Sequence, residues 1–228
     1  RQDVQNCFSR CKNPLMENVQ AVIVPHAGYV FSGVTAASAF AAINPDAEYE
    51  HIFLLGPSHH VYLGKASVNI GASAYATPLG NVPVDTALCK DLMEKSDAIT
   101  YAPEAHESEH CLEVELPFLQ YHMKKMPSIV PIIIATQELT TLKKIADTLK
   151  PYLNEKNLFV ISSDFSHYPA CKDAEIVDGL TKDSIMTGKV EAFVNATLHN
   201  QELGIDHLAT SACGMAPIAT LLMMTEND

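Results

Sequence analysis

LFVISSDFSHY, residues 158–168, is the stretch whose reading decides the fold. The run 158–161 has no polar alternation and stops abruptly at Ser162, Ser163 and Asp164, as a strand buried on both faces does when it reaches a polar turn. The same event happens twice more. AVIVPHAGY (21–29) leaves its apolar run at Pro25 and His26, and IFLLGPSHH (52–60) leaves its run at Gly56 and ends in His59 and His60. Short apolar runs can also be buried helix, but lengths of four or five residues, β-branched content and flanking Pro, Gly or Ser favour strand. Strands of this kind pair in parallel in an open α/β sheet, which binds ligands outside its carboxyl ends. The three histidine-bearing turns are therefore expected to converge on one crevice.

Working outward, an Ala-rich segment after Ser32-Gly33 predicts a helix over 34–42 that stops before Asn44-Pro45. Residues 66–79 read as a strand leading to a hairpin-like turn, and 85–95 as an amphipathic helix capped by Asp85. Apolar Leu112, Leu116, Leu119 and Met123 predict a helix over 109–125 with a kink at Pro117. A further strand is expected at 129–134, with helices at 140–149, 176–186, 190–197 and 214–224. The first twenty residues lack a clear period and read as an entry helix or a lead-in. No repeat, low-complexity tract or linker divides the chain, so 1–228 is taken as a single domain.

Composition excludes several classes. The 228 residues are 47% hydrophobic and 18% charged, and no apolar stretch approaches the roughly 20 residues of a membrane span. Fifteen basic against twenty-seven acidic residues give a net charge of −12, which argues against a DNA or RNA partner, since phosphate backbones are bound by clustered Lys and Arg. Six cysteines in a chain this long do not make a disulfide scaffold, and no signal peptide precedes them, so a reducing cytoplasm is the expected location. Cys7 and Cys11 lack a matching second pair and do not read as a zinc knuckle.

Ten histidines cannot all be functional. His51, His122, His199 and His207 read as structural or solvated. His26 differs, because it stands where the chain leaves the sheet and is followed by Ala27-Gly28, small enough for a ligand to approach. In GPSHH adjacent side chains point apart, so one is expected to face a shared metal, and His59, nearer the strand end, is preferred over His60. Cys213 in TSACGMAPI has two readings: a thiolate ligand stabilised at a helix start, or a small buried hydrophobe. Asp164 and His167 share one tight turn, where the carboxylate can orient the ring or raise its basicity, which suits a general base. His106-Glu107-Ser108-Glu109-His110 reads plainly as a solvated acidic helix start, although His110 could enter the pocket.

PHAGY…SG at 26–33, GPSHH at 56–60, ESEHCLEVELPF at 107–118, SSDFSHY at 162–168 and ACGMAPI at 212–218 together form a signature over nearly all of 20–225. In this order and spacing the chain resembles the Memo-like family, the AmmeMemoRadiSam system protein B group, itself similar in fold to the B-type subunit of class III extradiol ring-cleaving dioxygenases. The resemblance implies a three-layer αβα sandwich around a mainly parallel or mixed central sheet. It implies a metal held by His26, His59 and Cys213, with His167 in the place of a catalytic base and Asp164 and His110 as further pocket residues. The dioxygenases complete their triad with a carboxylate; here a soft thiolate changes metal preference and redox behaviour. Iron(II) fits an oxygen-activating role, zinc a hydrolytic one, and copper tolerates the same donors.

The expected function is a metal-dependent, dioxygenase-like redox enzyme acting on a small organic substrate, with a zinc hydrolase or a non-catalytic metal- or peptide-binding module as alternatives. The family name suggests a pathway link to a radical S-adenosylmethionine protein. Family members usually continue with strands after the ACG helix, so one sheet edge is expected to be missing or differently covered.

Overall fold

In a computed structural model, which describes residues 1–11 and 15–226, the chain forms a mixed six-stranded sheet flanked by helices. The strands are β1 (Ala21–Val24), β2 (His51–Pro57), β3 (Lys65–Val68), β6 (Ile99–Thr100), β7 (Ser128–Ala135) and β8 (Asn157–Ser162), in the order β1-β8-β2-β7-β3-β6. Ile52 to Leu55 and Leu158 to Ile161 are wholly buried, as their unbroken apolar runs require for strands covered on both faces. Phe53 and Phe159 pair across β2 and β8 and stack at 4.6 Å, each burial stabilising the sheet by about 1.5–3 kcal/mol.

Within this six-stranded sheet the pairings are parallel except β3 with β7. The reversal follows the loop after β2, where Gly64 at φ 67° takes a left-handed conformation that a residue with a Cβ resists. Leu63 and Gly64 then donate their N–H groups to the Ala135 carbonyl. A separate hairpin, β4 (Ala74–Thr77) and β5 (Gly80–Pro83), turns at Pro78-Leu79. Thus the predicted strand over 66–79 is two strands, on two different sheets.

One helical layer groups α1 (Gln2–Ser9), α2 (Tyr29–Ala41) and α5 (Leu116–His122), with α2 against β1. The other groups α6 (Leu139–Leu149), α7 (Cys171–Met186), α8 (Val190–Glu202) and α9 (Met215–Thr225), with α9 against β2 and β8. The sheet is the middle of three layers. α3 (Thr86–Lys95) lies against β6 and β7, and its predicted cap is present: Asp85 Oδ1 accepts the Leu88 N–H at 2.8 Å. No helix among the described residues is long and apolar enough to cross a membrane.

Two predicted helices are corrected. The segment 109–125 is not one kinked helix. It follows the short α4 (Glu104–Glu107), passes through a loop and a 3₁₀ turn (Glu113–Glu115), and becomes helical only at Leu116, with Pro117 in the first turn, where its missing N–H costs nothing. α2 begins at Tyr29, not after Gly33, because Gly28 already accepts the first helical N–H bonds, from Phe31 and Ser32. The turn after β1 is thereby limited to Pro25–Gly28, and His26 is pinned beside the strand end.

Among the described residues β1 is an outer strand, paired only with β8, and Ala21, Val22 and Ile23 on it are partly exposed. Because β1, β8 and β2 are adjacent and parallel, their carboxyl ends lie side by side, Val24 opposite Ser162 and Ile161 opposite Leu55. The three polar turns leave from that one edge.

Candidate metal centre

His26 is buried, at 3% exposure, and both faces of its turn are tied down. The backbone N–H groups of His26 and Ala27 donate to Asp164 Oδ1 at 2.9 and 3.0 Å, so the carboxylate after β8 holds the loop after β1. The ring is fixed at both nitrogens. Nδ1 lies 2.7 Å from Ser162 Oγ and Nε2 lies 3.2 Å from Cys213 Sγ.

His59 is held by Glu109, a residue the sequence reading left in solvent. The Glu109 side chain is only 2% exposed and accepts the His59 backbone N–H at 2.8 Å, the His59 Nδ1–H at 3.0 Å, and the His110 and Cys111 N–H groups at 3.0 and 3.1 Å. Burial opposes its ionisation, but the bonds from the His59 ring and from backbone N–H groups outweigh it and hold the carboxyl at about 2. With Nδ1 occupied, the other ring nitrogen is the one left to face the sulfur. The expectation of a solvated acidic helix start at 106–110 is corrected here: α4 ends at Glu107, and Glu109 folds inward to cap successive N–H groups of the loop. The sequence carries no local signal for this, since the residues around Glu109 read the same whether it faces water or buried N–H groups.

Cys213 sits just before α9, and its neighbour Gly214 is a packing necessity. A Cβ on Gly214 would lie 2.4 Å from Ser163 Cβ and 2.7 Å from the Ser162 carbonyl, and the Gly214 N–H donates to Ser163 Oγ at 2.9 Å. The ACG turn is thus pressed against the end of β8, where the Asp164 N–H points at Cys213 Sγ at 3.3 Å. Burial would raise the thiol, but contacts with His26 and His59 outweigh it and lower it to about 6. Reciprocally, the Cys213 sulfur first and Glu109 second, against burial, raise His59 to about 10.

One donor atom each from His26, His59 and Cys213 lies within 4.8 Å of the others. That spacing admits an ion bound at about 2.0–2.1 Å from nitrogen and 2.3 Å from sulfur, and the thiol is already biased toward the thiolate that binds metal. The residues fit a divalent ion. Asp164, His167 and Cys213 form a second such group sharing the same sulfur.

The other site candidates also gather here. The His110 ring, half-exposed, stacks at 5.7 Å on His59 and stands edge-on to His26 at 5.7 Å. His60 is exposed and lies outside the donor group. The His167 ring has a different holder from the one its sequence neighbour suggested: Nδ1 lies 2.8 Å from the Phe165 carbonyl, while Asp164 is engaged by the His26 loop. Tyr168, next in the chain, is held at φ 69°, a left-handed conformation kept by backbone bonds between His167 and Ala209–Thr210. A cleft of about 540 Å³ between the loops after β2 and β7 opens onto His59 and Cys213 and includes Tyr62, Thr136, Gln137 and Glu138 in its lining. The remaining weighed histidines are elsewhere: His51 bridges Asp85 and Asn157, and His122 bonds the Ile43 carbonyl.

Comparison with known proteins agrees over the whole chain. The family model described as Memo-like protein matches residues 1–227. A MEMO1 family protein of Methanosarcina mazei is 31% identical over 228 residues, covering 97% of this chain and 79% of its own length. The MEMO1 family protein C4H3.04c of Schizosaccharomyces pombe is 39% identical over 165 residues, 69% of this chain and 53% of its own, so the chain spans about half the length of that relative. Among solved structures, an uncharacterized Escherichia coli K12 protein, JW3007, is similar in fold, with a TM-score of 0.59 at 15% identity over 90% of this chain and 88% of its own. On the family match and the archaeal likeness, this chain belongs to the Memo-like family.

Proposed function

We propose that the protein is a metal-dependent enzyme that holds iron(II) through His26, His59 and Cys213 and carries out oxygen-linked redox chemistry on a small organic substrate in the cleft. The observation that carries this reading is the meeting of two imidazole nitrogens and one sulfur, from three separate turns, within 4.8 Å at the mouth of a cavity. Bound there, iron(II) supplies one-electron redox chemistry toward dioxygen; a thiolate and imidazoles also suit zinc or copper. Two neutral imidazoles and one thiolate leave one positive charge on a divalent ion, which favours an anionic or ionisable substrate group.

The chain's own residues supply the proton chemistry. A carbonyl only accepts, so the 2.8 Å contact to Phe165 places the hydrogen of neutral His167 on Nδ1 and leaves the Nε2 lone pair free. His167 is then a general base for a substrate hydroxyl. In the group Asp164, His167 and Cys213 one ring nitrogen of His167 lies within 4.8 Å of the sulfur, close enough for one substrate to meet both residues. All six cysteines are free thiols, which supports a reducing compartment such as the cytoplasm. A small molecule or peptide is the substrate class, and a radical S-adenosylmethionine protein is the proposed pathway neighbour.

The test is anaerobic purification, metal analysis and turnover under air and under nitrogen. One iron per chain, lost in His26→Ala while the circular dichroism is unchanged, with turnover that requires oxygen, is the expected result. Full metal occupancy in His26→Ala contradicts the ligand assignment; zinc with oxygen-independent turnover replaces the redox reading by a hydrolytic one.

A further inference from the structure

Glu115 ends the 3₁₀ turn before α5 and is wholly buried. Its Oε1 lies 3.2 Å from Ser162 Oγ, and its Oε2 is buried with no hydrogen-bond partner. Ser162 Oγ stands among three groups: the Cys111 carbonyl at 2.7 Å, His26 Nδ1 at 2.7 Å and Glu115 Oε1 at 3.2 Å. A hydroxyl has one hydrogen and two lone pairs. The Cys111 carbonyl can only accept, so the Ser162 hydrogen goes there, and the two lone pairs are left for two donors. His26 Nδ1 and Glu115 must both bring a hydrogen.

We propose that Glu115 is a neutral carboxylic acid which, through Ser162, fixes a hydrogen on Nδ1 of His26 and so leaves Nε2 as the nitrogen turned to Cys213: it is a positioning residue of the metal centre. The statement about the centre rests on the ligand reading above; the proton placement does not. An ionised Glu115 would set two acceptors against one hydroxyl hydrogen and leave a charged oxygen buried without a partner, a heavily penalised arrangement. Burial accordingly pushes this carboxyl well above the usual range, and the like charge of Asp164 adds to the rise.

Three measurements on the folded chain decide it. In the metal-free protein at pH 7, an infrared carbonyl band of a protonated carboxyl is expected, absent in Glu115→Gln, and the ¹⁵N shifts of His26 should show hydrogen on Nδ1. Titration with iron(II) without oxygen should show affinity kept within about threefold in Glu115→Gln, whose amide still donates, and reduced about 10- to 100-fold in Glu115→Leu and in Ser162→Ala. If Glu115→Leu does not fold, Ser162→Ala carries the affinity arm. A missing carboxyl band, a bare Nδ1 on His26, or wild-type affinity in Ser162→Ala overturns the proposal. Wild-type protein that binds no iron would instead overturn the ligand reading, with the band and the tautomer still deciding the proton placement.

Discussion

The two imidazoles that face Cys213 are held in opposite ways. His59 stands on an exposed loop, its side chain 30% accessible, and is gripped by the ionised carboxylate of Glu109; His26 is 3% exposed and bonds a hydroxyl backed by a buried carboxyl. A carboxylate partner makes an imidazole a stronger donor, whereas a neutral partner fixes direction without adding negative charge. The site therefore couples one imidazole whose hold depends on charge with one whose hold depends on packing. Acid and local mutations should strike the two differently.

The sharpest test of the shared target is Cys213→Ala. Removing the sulfur both rings face should cost more than about 100-fold in metal affinity, beyond what a supporting residue accounts for; anaerobic titration reads it, and a loss no larger than that of Ser162→Ala would mean the sulfur is not a ligand. Next is Glu109→Gln, expected to lower metal affinity about 10- to 100-fold and to remove an acid-sensitive stability from the metal-free protein. Glu109 sits at about 2 when folded, below its ordinary 4.5, so its stabilisation is full above pH 4.5 and is lost as pH falls toward 2. That lowering corresponds to about 3 kcal/mol. Urea unfolding in steps between those pH values should give a shallower slope in the variant, and identical slopes would remove the charge from the comparison.

Gly214→Ala should destabilise the fold by about 1–3 kcal/mol, because its new methyl group meets Ser163 and the backbone of Ser162 and must displace the ACG turn from β8. Denaturant midpoints measure this, and a neutral result would show that the turn yields freely. The smallest effect belongs to His60→Ala, which should leave metal affinity within about twofold, since an exposed side chain outside the donor group contributes nothing to binding. A drop matching that of His59→Ala would reverse the choice between the adjacent histidines.

Much of the architecture was legible in the three apolar runs that end in polar turns. Strands buried on both faces cannot alternate, so 52–55 and 158–161 announced themselves. The gathering of His26, His59 and Cys213 followed from turns at one sheet edge together with the family signature. Where period and propensity misled, a local pattern had been extended past a boundary set from outside. The apolar spacing through 109–125 is genuine, but Glu109 caps the loop and Pro117 opens a helix that the spacing alone would start earlier. Glu109 itself was unreadable because an acidic residue beside histidines has the same local sequence whether it faces water or a buried cluster of N–H groups.

Strand identity, the edge on which the turns leave, and the residue types able to bind a metal were determined by sequence, since each depends on chemistry local to a few neighbouring positions. Tertiary structure alone decided which oxygen holds which ring nitrogen: Ser162 and Glu109 reach their histidines across separations of 136 and 50 residues, and such hydrogen bonds are fixed only when strand order and loop packing bring the partners together.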